Sequence, residues 1–388
     1  MIKKFKKLLI PNPITKEKPD YIFLSLVLIL LSIGLVMLFS ASYPYGLQYR
    51  NDSAYYIKRQ AIFAIAGLIG MLAISFINYK FYCHYSFVLY AITIFMLFCV
   101  RFVPLRMFRA LSGAHRWIIL GNLVSFQPSE IAKFVIICVI GRMALAIGKE
   151  EIKTFENGFL LLCVPTGLMA GLILIEPHIS GTVIFCVISF ACMVAAGIDK
   201  KAIYIICGIG LGLIVLVITF PNILTFIAKY GGSRIRVWLD PFNYARTTGY
   251  QTVQSLYAIS SGGLWGVGIG QSHAKHLYLP EPFNDYIFAI VCEELGLIGA
   301  AIIIVLFILL VCRGLFIART IKDKFGKILA TGISIQIGAQ VFFNISVVTN
   351  LIPSTGISSA LRLQCSGLCC CCRLSPITAT ILRKESTK

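Results

Sequence analysis

The chain has 388 residues, 58% hydrophobic side chains and a formal net charge of +19. Its mean hydropathy of +0.86 is far too high for a soluble globular protein. The composition therefore predicts an all-α polytopic membrane protein. Its basic residues are spread among loops and are not gathered on one soluble domain, which argues against a nucleic-acid-binding protein.

The hydrophobic runs predict nine transmembrane helices, because a spanning helix needs about 20 mainly apolar residues. The runs cover residues 21–41, 60–78, 84–103, 130–148, 158–175, 180–197, 202–220, 286–312 and 328–348. Between the seventh and eighth runs lies a predicted extracytoplasmic loop, residues 221–285, which is much longer than an ordinary connection between packed helices. The sequence thus divides into a basic tail (1–20), a transmembrane domain (21–357) and a C-terminal tail (358–388).

Lysines before the first span predict the orientation of the chain. Positively charged short loops stay in the cytoplasm, so we expect a cytoplasmic N-terminus. Alternation from there places Lys200–Lys201 and the Arg313–Lys327 loop inside as well. The basic stretch runs into a full-length span without a small-residue cleavage site, so it does not resemble a cleavable signal peptide.

Two loops predicted to lie outside are unexpectedly basic. Long loops cross membranes regardless of charge, which is one explanation. The other is an external site for an anionic ligand, since guanidinium groups match phosphate oxygens. The basic residues concerned are Arg106, Arg109, Arg116, Lys229, Arg234, Arg236, Arg246 and Lys275.

Four carboxylates cluster near the eighth span of a chain that has only 16 acidic residues. If a helix begins near Pro282, Asp285 lies at the water boundary, and Glu293 and Glu294 lie roughly 12 Å deeper. We expect Asp285 to meet the substrate and to accept a proton from an attacking hydroxyl group. Glu293 and Glu294 should instead pair internally or hold helix contacts, and Glu281 shares the outer end with Asp285.

Three further stretches carry structural expectations. Glu130 and Lys133 share a helix face just after Pro128, which suits a first helical turn. They form either a structural ion pair or part of a site facing a water-filled cavity. The segment 249–259 predicts a short surface helix. The segment "SSGGLWGVGIG" lacks the lysine and the preceding strand of a phosphate loop, so it predicts close packing or a re-entrant dip.

These stretches resemble, in order, the motifs of the SEDS family, the polytopic bacterial proteins of shape, elongation, division and sporulation such as RodA, FtsW and SpoVE. The resemblance covers about residues 20–357, and "EPHISGT" is closer to the FtsW/SpoVE branch. The matching motifs are RWI…QPSE-x-x-K, EPH-x-SGT, R-x-R, GYQ-x-x-QSL-x-AI, G-x-G-x-G-x-S, LPE-x-x-x-D and EELG.

The resemblance implies a glycosyltransferase of the bacterial cytoplasmic membrane, acting in cell division or sporulation. It would polymerise lipid II into peptidoglycan strands at the outer face, with a class B penicillin-binding protein transpeptidase as its partner. The family's catalytic aspartate falls on Asp285. Two alternatives stay open: a flippase for lipid II, and a non-catalytic scaffold that recruits the transpeptidase.

The resemblance also assigns substrate-binding residues. Basic side chains at Arg116, Arg234, Arg236 and Lys275 would hold the pyrophosphate leaving group. The remaining candidates are Glu130, Lys133, Gln251, Gln254, Ser255 and Glu281. The spacing of Cys and His residues before the tail indicates no metal site. No cofactor is certain, and a divalent cation at the pyrophosphate is left open.

The chain departs from the family pattern after residue 357. The family continues with a tenth span, whereas this chain reads "SSALRLQCSGLCCCCRL" and has no apolar run of 20 residues. A shifted reading frame turns leucine CTG repeats into cysteine TGC codons, so Cys369–Cys372 predict a frameshift that replaced the last helix and impaired this chain. A metal-binding or palmitoylated tail is the alternative.

Overall fold

The computed structural model describes residues 20–75, 78–103, 110–111, 114–115, 118–120, 124–148, 150–176, 179–219, 232–280 and 282–353. The predicted frameshifted tail lies outside these residues. Long helices dominate the described chain, which confirms the all-α membrane class. The long helices are α1 (Tyr21–Arg50), α2 (Tyr55–Ser75), α3 (Lys80–Phe102), α4 (Pro128–Ile147), α5 (Leu161–Ile175), α6 (Ile179–Ala196), α7 (Lys200–Thr219), α10 (Ile287–Thr320) and α11 (Lys324–Val348).

Shorter elements lie in the connections. Two antiparallel hairpins pair β1 (Ala110–Leu111) with β2 (Ala114–His115), and β3 (Ile118–Leu120) with β4 (Val124–Phe126). A single 3₁₀ turn, Glu151–Lys153, and a π-helical stretch, Phe155–Leu160, lead into α5. The long loop before α10 contains α8 (Gly232–Leu239), a 3₁₀ turn (Phe242–Tyr244) and α9 (Tyr250–Ser261). The short helix predicted at 249–259 is therefore confirmed as α9.

Each predicted span coincides with a long helix, although several boundaries differ. By length and hydropathy, seven helical segments of the described chain can cross a membrane. The other two predicted spans correspond to α4 and α7, so the count of nine stays a prediction. The segment α4 carries three charged residues, Glu130, Lys133 and Arg142, whereas each of the seven segments has a spanning stretch with two or fewer.

The helix α4 forms the centre of the larger hydrophobic core. Its residues 135–140 are buried on every side, which requires neighbours all around the helix. Those neighbours are α3, α5, α6 and α11. A second apolar cluster joins α1 to the segment that leads into α10, and this cluster positions the candidate site.

An ion pair joins α1 to α10 at the end of the bundle where α1 begins. Asp20 caps α1 by accepting a hydrogen bond from Phe23 N at 3.0 Å. The same carboxylate accepts from Arg313 Nη2 of α10 at 2.6 Å. A cap that also binds a guanidinium sets where α1 begins and keeps α10 beside it. The opposite end of the bundle therefore contains the start of α10 and the Asp285 segment.

Candidate functional site

Asp285 lies in a turn just outside α10, not inside a helix. Residues 282–285 form turns and the helix begins at Ile287, so the predicted start near Pro282 is wrong by about five residues. Asp285 is exposed at the end of the bundle, where a carboxylate can reach a substrate.

An aromatic cluster holds the turn that carries Asp285. Phe283 stacks on Tyr56 of α2, with ring centroids 4.8 Å apart. It also meets the ring of Tyr45 on α1 edge-on at 5.1 Å. Phe283 is 5% exposed and Leu279, four residues earlier, is fully buried. Aromatic pairs in these geometries add about 0.5–1.5 kcal/mol of stability each beyond simple burial. They therefore hold the turn in place two residues before Asp285.

The helix α9 contacts the chain just before the same turn. Gln251 Nε2 donates to the Pro280 carbonyl at 3.2 Å. Ser255 is buried, and its Oγ donates to the carbonyl of Val348, the last residue of α11, at 3.1 Å. Two predicted substrate-binding residues thus connect α9 with the Asp285 segment and with α11. Gln254 is half-buried on the same helix.

Glu293 of α10 is buried and accepts several hydrogen bonds from the loop before this helix. His273 N donates to Oε1 at 2.8 Å and Ala274 N donates to Oε2 at 3.3 Å. The hydroxyl of Ser272 donates to the same carboxylate. Bonds to an ionised acceptor are about twice as strong as neutral ones, so Glu293 fixes the path of residues 272–274.

Glu294 is equally buried and forms the second contact with this loop. Lys275 Nζ lies 3.0 Å from Glu294 Oε1. Ser40 Oγ of α1 donates to Oε1 at 2.6 Å, and Lys275 Nζ lies 3.2 Å from the same hydroxyl. The expectation that Glu293 and Glu294 each have partners inside the protein is therefore confirmed. Lys275, expected at the pyrophosphate, is only 4% exposed and is directed at Glu294.

The glycine-rich segment before this loop packs against a break in α10. Gly296 has φ 68° and ψ −174° inside the helix, a conformation that favours glycine. Past the break, Leu297 N donates to the Gly263 carbonyl at 3.0 Å and Ile298 N donates to the Leu264 carbonyl at 3.2 Å. Backbone groups released by a helix break must be bonded elsewhere in a membrane protein, and this segment supplies the partners.

The glycine-rich segment and α10 approach so closely that a side chain would not fit at Gly262 or Gly266. A Cβ on Gly266 would lie 2.2 Å from the Glu294 carbonyl oxygen, and one on Gly262 would lie 2.0 Å from that of Cys292. On the same side of the break, Val267 N donates to the Glu293 carbonyl at 2.9 Å. The expectation of close packing in "SSGGLWGVGIG" is therefore confirmed, and the segment is anchored to the two residues that carry the buried carboxylates.

Only some of the predicted basic residues lie among the residues that the structure describes. Arg236 is exposed on α8, and that helix is held to the end of α11 by Trp238. Its indole Nε1 donates to the Asn350 carbonyl at 3.0 Å, and Asn350 Nδ2 donates to the Trp238 carbonyl at 3.1 Å. The side chain of Arg234 and all of Arg116 and Glu281 lie outside the described residues.

The Glu130–Lys133 pair forms at the start of α4, as expected. Lys133 Nζ lies 2.9 Å from Glu130 Oε1, with side-chain exposures of 2% and 17%. Pro128 occupies the first turn of the helix, as predicted. Among the described residues, no group of three or more His, Cys, Asp or Glu side chains could hold a metal ion.

Sequence reasoning did not identify the partners on the first two helices. Ser40, Tyr45 and Tyr56 lie more than 200 residues before the segment that they hold. Each is one polar or aromatic residue in an ordinary span, so the local sequence carries no signal that it contacts Glu294 or Phe283.

A family model described as "Cell cycle protein", for FtsW, RodA and SpoVE, matches residues 21–367. The chain belongs to the FtsW/RodA/SpoVE family. It is 38% identical over 352 residues to Stage V sporulation protein E of Bacillus subtilis (strain 168), covering 88% of this chain and 91% of that protein. It is 35% identical over 346 residues to the probable peptidoglycan glycosyltransferase FtsW of Geobacter sp. (strain M18), covering 88% and 90%.

The fold is shared with solved structures. A chain from a peptidoglycan synthase complex that coordinates polymerization and crosslinking superposes with a TM-score of 0.71 at 22% identity, covering 94% of this chain and 97% of that chain. Family membership and the apolar helices identify an integral membrane protein of the bacterial inner membrane. The cytoplasmic position of the N-terminus stays a prediction.

Proposed function

We propose that the chain is a peptidoglycan glycosyltransferase that polymerises lipid II at the outer face of the cytoplasmic membrane during division or sporulation. One observation carries the proposal: Asp285 is exposed at the end of the bundle, in a turn whose Phe283 packs on α1 and α2 and which closely follows Pro280, whose carbonyl is bound by α9. A relative 35% identical to this chain has the name of a peptidoglycan glycosyltransferase, which supports the same reaction.

Asp285 is the general base of the proposed reaction. Its carboxylate accepts the proton of an acceptor sugar hydroxyl, and the oxygen attacks the anomeric carbon of the donor. The new glycosidic C–O bond forms as the bond from that carbon to the pyrophosphate oxygen breaks, and lipid pyrophosphate leaves with the electron pair. A base must hold its position within hydrogen-bond reach of the hydroxyl, which is what the packing of Phe283 provides.

The leaving group requires positive charge on the same side of the membrane. Arg236 is exposed on α8, in the long loop that ends at Asp285, and its planar guanidinium suits pyrophosphate oxygens. Arg234 and Arg116 belong to the proposal on their sequence positions, and so does Glu281 beside Asp285. Glu130 is the partly accessible member of its ion pair and is the member that we assign to the substrate.

Four candidate residues receive a positioning role in this proposal. Lys275 joins the loop before α10 to Glu294, Ser255 joins α9 to the end of α11, and Gln251 joins α9 to the Pro280 carbonyl. Lys133 is 2% exposed and keeps Glu130 in place. Gln254, half-buried on α9, remains assigned to the substrate.

We assign a class B penicillin-binding protein transpeptidase as the partner. The similar solved chain comes from a complex that performs both polymerization and crosslinking, and two linked reactions on one glycan strand favour a stable assembly. In the proposal the transpeptidase crosslinks the strand that this chain extends.

Purified full-length chain, reconstituted with its partner and lipid II, tests the proposed function. Glycan polymer should accumulate with time on a gel of labelled lipid II, and it should accumulate faster when the altered tail after residue 357 is replaced by the tenth span of the family. Transfer of labelled lipid II between the leaflets of proteoliposomes, with no polymer formed, would identify a flippase instead. Neither transfer nor polymer, with normal recruitment of the transpeptidase, would identify a scaffold.

A further inference from the structure

An apolar groove of about 780 Å³ runs between α3 and α5, away from the Asp285 segment. The α3 wall contains Phe95 and Phe98, and the α5 side contains Gly167 and Gly171 and ends at Ile175. The spacings of three and four residues place each set on one face of its helix. The groove therefore runs along both helices.

The chain leaves this groove unfilled. Nothing lies within 4 Å of the position that a Cβ on Gly167 or Gly171 would occupy. Phe95 is 67% exposed and Phe98 is 49% exposed. In a bilayer, apolar surface of this kind is covered by hydrocarbon, because a void forfeits the dispersion contacts of its lining.

A cation marks one end of the groove. Arg101 follows Phe98 by three residues, is exposed, and donates from Nε to the Ile175 carbonyl at 3.1 Å. Its Cζ also lies 5.8 Å from the centre of the Phe102 ring. These contacts hold the guanidinium beside the end of the groove, and a guanidinium has five N–H donors in all.

The length and position of the groove match one leaflet of the membrane. Eight residues separate Gly167 from Ile175, which is about 12 Å along a helix. Half of the hydrocarbon core is about 15 Å. Because α1, α2 and α3 alternate in direction, Arg101 at the end of α3 lies at the same end of the bundle as Asp285. The cation is thus at headgroup depth in the predicted outer leaflet.

We propose that this groove binds an anionic glycerophospholipid of the outer leaflet, with an acyl chain against Gly167 and Gly171 and its phosphate on Arg101. The positive charge selects an anionic headgroup. A partner's transmembrane helix would need a track of about 30 Å, and a groove of about 12 Å is too short for it. The lipid fills the gap between α3 and α5 and joins their outer ends.

Photocrosslinking of the full chain in lipid bilayers tests the site directly. The probe is phosphatidylglycerol with a photoactivatable acyl chain, and crosslinked peptides are identified by mass spectrometry. We expect crosslinks on residues 90–98 and 167–175. Unlabelled phosphatidylglycerol should compete about fivefold better than phosphatidylcholine with the same chains, the effect of one basic side chain at an anionic lipid surface.

Substitutions separate the two parts of the site. Arg101→Gln should abolish the preference for phosphatidylglycerol, and Arg101→Lys should keep most of it. Gly171→Phe should remove the crosslinks by filling the groove. Gly208→Phe is the matched control, because Gly208 is an exposed helical glycine of α7 that also has open space around it, and it should leave the crosslinks unchanged.

Several results would overturn the proposal. Crosslinks confined to other helices would do so, as would equal competition by phosphatidylcholine against the unsubstituted chain. Competition by a polyprenyl phosphate at a lower concentration than phosphatidylglycerol would assign the groove to a different lipid. Because the crosslinking map of the unsubstituted chain needs no variant, a misfolded Gly171→Phe protein does not prevent the decision.

Discussion

Lys275 and Glu294 form a buried ion pair, with Nζ 3.0 Å from Oε1 and side-chain exposures of 5% and 0%. The pair joins the end of the glycine-rich segment to α10, and Asp285 lies in the chain between its two members. Together with Glu293 and Phe283, it determines where the backbone before α10 runs. The following predictions test these contacts and their consequence for Asp285.

Removing one member of the buried pair should be strongly destabilising. Lys275→Met leaves the Glu294 carboxylate buried without its cation, which typically costs about 3–5 kcal/mol. The double variant Lys275→Met/Glu294→Leu should recover part of that loss. Unfolding in detergent, followed by thiol-reactive fluorescence, measures the free energies. Lys58→Met is the control, since Lys58 and Asp52 form an exposed pair, and a loss of equal size there would contradict the assignment.

Two serines on α1 should respond in opposite ways. Ser40 donates to the buried Glu294 carboxylate, and a hydrogen bond to a charged group contributes about 1.5–3 kcal/mol, so Ser40→Ala should destabilise by about that amount. Ser42 Oγ is buried with no hydrogen-bond partner among the described residues, so Ser42→Ala should be neutral or stabilising. The same unfolding measurement applies, and equal effects at both positions would disprove the Ser40 contact.

Gly266 and Gly270 both have positive φ, of 80° and 83°, but differ in their surroundings. Gly270→Ala meets open space and should cost about 1–2 kcal/mol for its backbone conformation alone. Gly266→Ala also places a Cβ 2.2 Å from the Glu294 carbonyl oxygen and should cost about 3 kcal/mol or more. Thermal unfolding of the two variants side by side measures the difference, and similar midpoints would show that the break in α10 is not packed as described.

Phe283 should matter for activity as well as for stability. Phe283→Leu keeps an apolar side chain but loses the ring contacts with Tyr45 and Tyr56, so the free energy of unfolding should fall by about 1–3 kcal/mol. Loss of the stack on Tyr56 shifts the turn that carries Asp285, and a displacement of about 1 Å can lower a rate by roughly a hundredfold. The polymerisation rate at saturating lipid II measures this effect. Phe242→Leu, at a site 58% exposed in the same long loop, should leave the rate unchanged.

Much of the architecture follows from the sequence because long apolar runs have few alternatives to a spanning helix. Boundaries fail where apolar character is not the signal. The helix α1 continues nine residues beyond the predicted end, through Pro44, because Tyr45 packs on Phe283 and a left-handed Asn51 ends the helix. The span predicted at 286–312 begins within one residue of α10. The helix start assumed near Pro282 is wrong because turn residues 282–285 are compatible with a helix start when only local sequence is considered.

The candidate site was predictable in part for a similar reason. Buried carboxylates need partners, so Glu293 and Glu294 could be assigned to internal contacts from their depth alone. The identity of those partners depends on tertiary structure: Ser40 is 254 residues away from Glu294. The break at Gly296 was also not visible, because the backbone groups that satisfy it belong to a segment about 30 residues earlier. Lys275 carried a charge in an external loop, and only the fold shows that it faces inward.

The polymerisation rate of Asp285→Asn decides whether this carboxylate is the general base. Purified variant and unsubstituted chain, each with its partner transpeptidase, are given labelled lipid II, and polymer is quantified over time. Asp240→Asn is the control, since Asp240 is another exposed aspartate of the long loop and should keep the normal rate. Asp285→Asn should lower the rate by about 10²–10⁴-fold with unchanged folding. Polymer formed at the unsubstituted rate would contradict that role.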